Sequence, residues 1–251
     1  MITLYQFPTS PFCQKIRRLL GYKALPYRII DVPRASVVDY RHVSPIGKFP
    51  AIDHEGTKVW DSTDIAEYLE RIAPAPAVLP HAARDRALAH VIEDWADESL
   101  YMYEIEMRLA WRHNLLPLVP SFAATMPGVP EHDVADFVEK AAKAMTTAQG
   151  LGRKPVDQVI RDAERHLHAI DGLIGDGEWL VGSHLSIADL SVVPQLNALL
   201  CTREVVAATS KMPRIMAWRQ RVMDAAPDHS GRRSEPGAET LSALGGLSLS
   251  S

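Results

Sequence analysis

Cysteine is almost absent from this chain. Cys13 and Cys201 are the only two among 251 residues. That excludes a disulfide framework and a cysteine-built zinc site, and it fits a reducing compartment. No apolar run reaches the roughly 20 residues that span a bilayer. No phosphate-cradling glycine loop is present. The histidines form no useful metal pair: His166 and His168 stand two apart, so they face different sides of a helix. A strong charge of one sign is also missing. A net charge of −4 leaves no electrostatic footprint for nucleic acid. The first residues enter an alternating apolar run directly, without a leader-like pattern. These features predict a soluble cytoplasmic protein with no membrane, nucleic-acid or metal partner. The hydrophobic share of 47% is enough for one large domain or two small ones.

What is present begins at once. Ile2-Thr-Leu-Tyr-Gln6 alternates like a half-buried strand, and Pro8-Thr-Ser-Pro-Phe-Cys13 follows it. Ser10 suits an N-cap, and Pro11 suits the first helical position, where its missing N–H costs nothing. Cys13, Ile16 and Leu20 share one face of the predicted helix. Its first turn therefore carries a hydroxyl and a thiol, at the end where free N–H groups favour a thiolate or another anion. On these residues alone the simpler reading of each stands: Ser10 as a cap, Cys13 as a small buried hydrophobe.

Tyr27 to Val32 reads as a second strand, which makes a βαβ unit with parallel strands. Pro50 sits where a third strand begins, a place that tolerates a residue unable to donate to the ladder. Lys58-Val-Trp60 returns antiparallel after the turn at His54-Glu-Gly56. Asp61 or Ser62 caps the next helix, with Ile65, Leu69 and Ile72 on its apolar face. Pro74 to Pro80 holds three prolines in seven residues and reads as an extended linker.

Beyond it the pattern is helical throughout. Arg84 to Asn114 forms one stretch, in which Glu93, Asp94, Asp97 and Glu98 are expected to be a solvated face rather than an acid–base pair. Leu116 to Pro130, with four prolines, reads as a loop. Glu131–Ala148 and the segment from Lys154 to about Ile174 are helices. Ser186-Ile-Ala-Asp189 is a capping-box start for a wholly apolar helix from Leu190 to Leu200. Lys211 to Met223 is the last amphipathic helix. From Pro227 the chain turns Ser-, Gly- and Arg-rich, which predicts a disordered tail.

Four stretches, taken in order, resemble the cytosolic glutathione transferase superfamily. Ser10-Pro-Phe-Cys13 is similar to the Cys-Pro-Tyr-Cys of glutaredoxins, with serine first as in serine-type transferases. Pro45-Ile-Gly-Lys-Phe-Pro50 resembles the family's Asn-Pro-x-Gly-Lys-Val-Pro. Asp61-Ser62 resembles its Glu-Ser pair, and Ser186 to Asp189 its core-helix capping box. Gln149-Gly-Leu-Gly-Arg153 is similar to the failed-axon-connection and metaxin-like branch. Phe49 replaces the usual Val, and Asp61 the usual Glu.

The resemblance implies an α/β plus all-α fold. A thioredoxin-like glutathione-binding domain would span 1–77, an all-helical domain 84–226 and a tail 227–251. It implies that the Phe49–Pro50 bond is cis and that the Phe49 backbone pairs with the cysteinyl part of glutathione. Asp61 and Ser62 would hold its γ-glutamyl end, and Lys48 its glycyl carboxylate. Ser10 would donate to its sulfur, with Cys13 packing inward; Cys13 is the alternative catalytic residue. Tyr101, Arg108 and Trp111 are candidates to line the site of a small hydrophobic electrophile, though simple packing explains them as well. The implied activity is glutathione conjugation in detoxification, by a cytoplasmic homodimer with glutathione as co-substrate. The alternatives are a glutathione-dependent thiol oxidoreductase or lyase working through Cys13, and a non-catalytic binding protein of the same fold.

Overall fold

The computed structural model describes residues 1–230. Strand β1 (Ile2–Gln6) leads into helix α1 (Pro11–Tyr22), which returns to β2 (Tyr27–Asp31). The hairpin β3 (Ala51–His54) and β4 (Thr57–Trp60) then leads to α2 (Ser62–Ile72). The sheet order is β2-β1-β3-β4. β1 runs parallel to β2, with Leu4 beside Ile29, and antiparallel to β3, with Leu4 beside Ile52. β1 is buried along its whole length, as a central strand with both neighbours paired must be. The Phe49–Pro50 peptide bond is cis.

The second part of the chain is helical. Helix α3 spans 83–110 and contains two π-helical turns, Trp95–Leu100 and Ile105–Ala110. Then come α4 (Glu131–Gln149), α5 (Val156–Ile174), α6 (Ile187–Leu199), α7 (Arg203–Thr209) and α8 (Pro213–Ala225). Every residue of α6 is buried, so it forms the axis of this part. Its start is fixed by Asp189, whose carboxylate accepts from the N–H and hydroxyl of Ser186, the N–H of Leu180 and the indole N–H of Trp218. The capping box read from the sequence is present, and it also ties two distant segments to the helix start. The architecture is a thioredoxin-like α/β part followed by an all-helical one.

Several local expectations need correction. Helix α1 does not bury one face only: everything from Cys13 to Leu20 is buried, including Lys15, Arg17 and Arg18. The helix packs against α6 and α2 and reaches β1 through Arg17, which donates to Gln6, so each polar side chain must find a partner inside. Gln14 accepts from Asn197 of α6 at 2.9 Å. Arg17 pairs with Asp228 at 2.7 Å, and Arg18 donates to the Ala226 carbonyl at 2.7 Å. The segment 227–230, expected as the start of a disordered tail, is therefore packed against α1. A Cβ on Gly21 would lie 1.9 Å from the Pro227 carbonyl oxygen, so only glycine admits this approach. The rest of the expected tail, 231–251, lies outside the described residues.

Ile72, expected on the apolar face of α2, is exposed. The proline-rich stretch after residue 115 is not all loop. Leu116–Leu118 and Val119–Ala123 are short helical turns, each with proline in a first-turn position that needs no N–H. The linker is pinned rather than free. Lys23 donates to Glu70 and to the carbonyls of Ala73 and Pro76, while Glu70 accepts from the N–H groups of Val78 and Leu79.

The largest correction concerns the acidic cluster on α3. Glu93 and Asp97 are buried and share the Lys15 ammonium, at 2.6 and 2.8 Å. The Ser62 hydroxyl donates to Asp97 at 3.3 Å, and that of Thr63 donates to Glu93 at 2.5 Å. One cation thus joins α1, α2 and α3. Removing it strands two carboxylates, so Lys15→Met should cost roughly 3–5 kcal/mol in urea unfolding. Adding Glu93→Gln and Asp97→Asn should recover most of that loss. Burial pushes the Asp97 carboxyl up to about 6, against the pull of Lys15. A carboxyl raised on folding favours the native state below its unfolded pKa, and that contribution is lost as pH rises through the folded value. Relative to Asp97→Asn, the wild type should therefore lose urea-midpoint stability between about pH 4 and about pH 7.

Candidate active site

Ser10 ends a tight turn: its N–H donates to the Phe7 carbonyl, and its own carbonyl accepts from Gln14 as α1 begins. The same turn fixes where the two reactive groups go. Ser10 faces a cavity of about 630 Å³ between the two parts of the chain. Cys13, three residues on, has no exposed surface and packs among Tyr5, Val32, Val43, Phe49 and Ala51. Burial pushes its thiol up, against hydrogen bonds with Phe7 and Ser10 and the charges of Arg17 and Arg34. A thiol that is both enclosed and raised is a poor nucleophile.

Helix α2 points its N-terminus at the same cavity. Asp61 caps it by accepting from the Thr63 N–H at 2.9 Å, with a left-handed backbone at φ 76. That conformation is uncommon for a non-glycine residue, and a short polar side chain that bonds locally tolerates it best. Ser62 is buried next to the ion cluster, within 3.4 Å of the Lys15 ammonium. Lys48, Phe49 and Pro50 complete this side. Strand β3 itself offers no free edge, because β1 and β4 pair with it from Ala51 onward. The open backbone is the Phe49–Pro50 step ahead of it.

The opposite wall comes from α3 and α4. Tyr101 lies edge-to-face against Phe12, with ring centroids 4.9 Å apart. Burial pushes its hydroxyl up to about 12, so it stays a neutral donor. Arg108 pairs with the fully buried Glu104, whose carboxyl burial raises to about 6 against that guanidinium. Phe137, Val138 and Met145 supply apolar surface.

Of the residues singled out in the sequence, Ser10, Lys48, Phe49, Pro50, Asp61, Ser62, Tyr101 and Arg108 meet at this cavity. Trp111 does not. It leaves the helical conformation at the end of α3, is buried, and donates its indole N–H to Glu106 at 3.0 Å. Its role is to close the helix. Sequence reading missed the ion cluster, although the i, i+4 spacing of Glu93 and Asp97 was the available signal. It also missed Arg34, which opens a short 3-10 helix, and Phe122, in the stretch read as a loop; both line the cavity. Among the described residues no cluster suited to a metal ion occurs, and no helix is long and apolar enough to cross a membrane.

Comparison with known proteins places this geometry. Family models described as the N-terminal and C-terminal domains of glutathione S-transferase match residues 4–77 and 126–225. The probable maleylacetoacetate isomerase 1 of Drosophila melanogaster is 32% identical over 203 residues, covering 77% of this chain and 67% of that protein. The uncharacterized GST-like protein YibF of Escherichia coli K12 is 35% identical over 91 residues, 36% of this chain and 45% of its own length, so that match spans less than half of the relative. A glutathione S-transferase structure from Methylobacterium radiotolerans, in complex with glutathione sulfonate, shares the fold at a TM-score of 0.63 and 19% identity, over 92% of this chain and 93% of that one. With both domain types in sequence and the complete fold, the chain belongs to the glutathione S-transferase superfamily.

Proposed function

We propose that the chain is a glutathione transferase that adds the glutathione thiolate to a small hydrophobic electrophile. The observation that carries this is the convergence of two helix N-termini, at Ser10 and at Ser62, on one cavity with an apolar far wall. Helix N-termini offer unpaired N–H groups and favour anions. In this reading the Ser62 N–H takes the γ-glutamyl carboxylate, the Ser62 hydroxyl turning from Asp97 to join it, and Asp61 faces the neighbouring ammonium. The Phe49 backbone pairs with the cysteinyl unit, and Lys48 takes the glycyl carboxylate. The glutathione sulfur then lies by Ser10. A hydroxyl donor and a helix terminus stabilise the thiolate, which is the attacking species. Its pair of electrons forms the new C–S bond, and the displaced group leaves with the electrons of the broken bond.

An isomerase reading is supported by several relatives named maleylacetoacetate isomerase, those of Drosophila melanogaster, Mus musculus and Pseudomonas aeruginosa among them. There the thiolate would add and later be expelled, with no net consumption of glutathione. Thiol oxidoreduction through Cys13 is disfavoured by the burial of that sulfur. The family setting supports a homodimer, cytoplasmic location and detoxification as parts of the same proposal.

Two measurements test it. Ser10→Ala should lower kcat/KM for conjugation by somewhat less than the roughly 2.7–4 kcal/mol typical of a lost oxyanion donor, because the helix N-terminus remains. It should also raise the apparent pKa of bound glutathione. Cys13→Ala should keep activity and lose some stability. An active Ser10→Ala together with an inactive Cys13→Ala would return the chemistry to the thiol. Sedimentation over a wide concentration range should give a dimer mass; a constant monomer mass would remove that part.

A further inference from the structure

Arg34 stands on the cavity wall without a counter-charge. Its guanidinium lies 4.5 Å from the centroid of the Phe7 ring and 5.7 Å from that of Phe122. One ring comes from the turn before α1, the other from the short helix Val119–Ala123. The Arg34 backbone N–H reaches the Thr125 carbonyl at 3.4 Å, so the two parts of the chain meet at this corner. Among the described residues no carboxylate lies within ion-pair distance of Arg34. Its electrostatic neighbours are Cys13, Tyr101 and Arg108. The first two are neutral at neutral pH, since burial raises both. The third is a cation already paired with Glu104. Of the other acids of the cavity, Glu93 and Asp97 hold Lys15, Asp61 caps α2, and Asp94 and Glu98 stand on α3 beyond ion-pair distance of Arg34.

A guanidinium sandwiched between aromatic faces keeps its planar donors in place while remaining poorly hydrated. Burial works against its charge. An anionic guest restores what this position lacks, and the guanidinium fork matches a carboxylate in two parallel bonds. The apolar wall of Phe137, Val138 and Met145 across the same cavity accepts the apolar body of the guest.

We infer that the electrophile taken by this cavity is an aromatic carboxylate, its carboxylate held by Arg34 and its ring lying against the apolar wall of Phe137, Val138 and Met145. This rests on the transferase reading and adds the substrate class to it. Arg34 is here a specificity-determining residue, distinct from the groups assigned to glutathione.

The test compares 4-chloro-3,5-dinitrobenzoate with its methyl ester as electrophiles for the full-length protein. In each reaction the thiolate forms a C–S bond at the chlorine-bearing carbon, chloride leaves, and the thiol proton passes to buffer. The readout is the acid-to-ester ratio of kcat/KM, compared between wild type and Arg34→Met, which cancels the intrinsic reactivities. Loss of a charge-assisted bond should lower this ratio by about tenfold or more. The ester rate, the KM for glutathione and the pH profile should each stay within about twofold of wild type, and Arg34→Lys should fall between the two. An unchanged ratio overturns the inference. So does a rise in the KM for glutathione or a shifted pH profile with both electrophiles, which would move Arg34 to the glutathione site. A separate arm measures binding of the two preformed glutathione thioethers. If neither electrophile turns over but wild type still prefers the acid thioether and Arg34→Met does not, the transferase reading fails while the carboxylate site stands. If neither preference exists, both fail.

Discussion

A single buried ammonium holds this molecule together. Lys15 has almost no exposed surface, and three elements close around it: its own helix α1, the first turn of α2 and the middle of α3. Taking one cation and two carboxylates out of water is costly, and their attraction repays the cost only when the remaining lone pairs are also satisfied. Here the Ser62 and Thr63 hydroxyls supply the missing donors. The same two residues open α2 toward the cavity. The charges that lock the helical part onto the sheet therefore also fix the floor of the site. The first π turn of α3 contributes, because it contains Asp97 and begins two residues after Glu93. Widened helical turns of this kind often occur where a helix must serve a site as well as a core.

Local rules made much of the fold readable. A short apolar run marked the place of β1, which is buried throughout rather than on one face as its alternation suggested; proline position marked the start of β3, and the Ser186–Asp189 spacing the entry to α6. Each depends on neighbours within a few residues, so one chain segment carries the whole signal. The candidate site was readable for the same reason: Ser10, Phe49, Pro50, Asp61 and Ser62 lie in turns and helix starts whose chemistry is local.

What could not be read depends on distant partners. Charges on α1 are ordinarily exposed, and nothing near Lys15 in sequence announces Glu93 or Asp97. Arg17 finds Asp228 from 211 residues away, and nothing in the composition of 227–230 signals that contact. Trp111 was a plausible pocket residue by type alone, and only the break at the end of α3 shows that its indole is spent on Glu106. Arg34 lay hidden for a related reason. A basic residue reads as surface until two aromatic rings from opposite parts of the chain are seen to enclose it.

The cavity that results is chemically uneven. Toward α2 it is acidic and rich in donors, with Asp61, Glu93, Asp94 and Asp97 beside the two helix hydroxyls. Toward α4 it is apolar, and the Phe7–Phe122 corner is aromatic, with Arg34 unpaired there among the described residues. A zwitterionic peptide end and an anionic aromatic body would each find one favourable place and one unfavourable one, so the polarity of the walls orders two ligands without a dedicated gate. Ser10 lies at the turn where these regions meet. Cys13 is on the same turn but faces the core, and one helical turn of geometry thus decides which of two reactive side chains can touch a ligand.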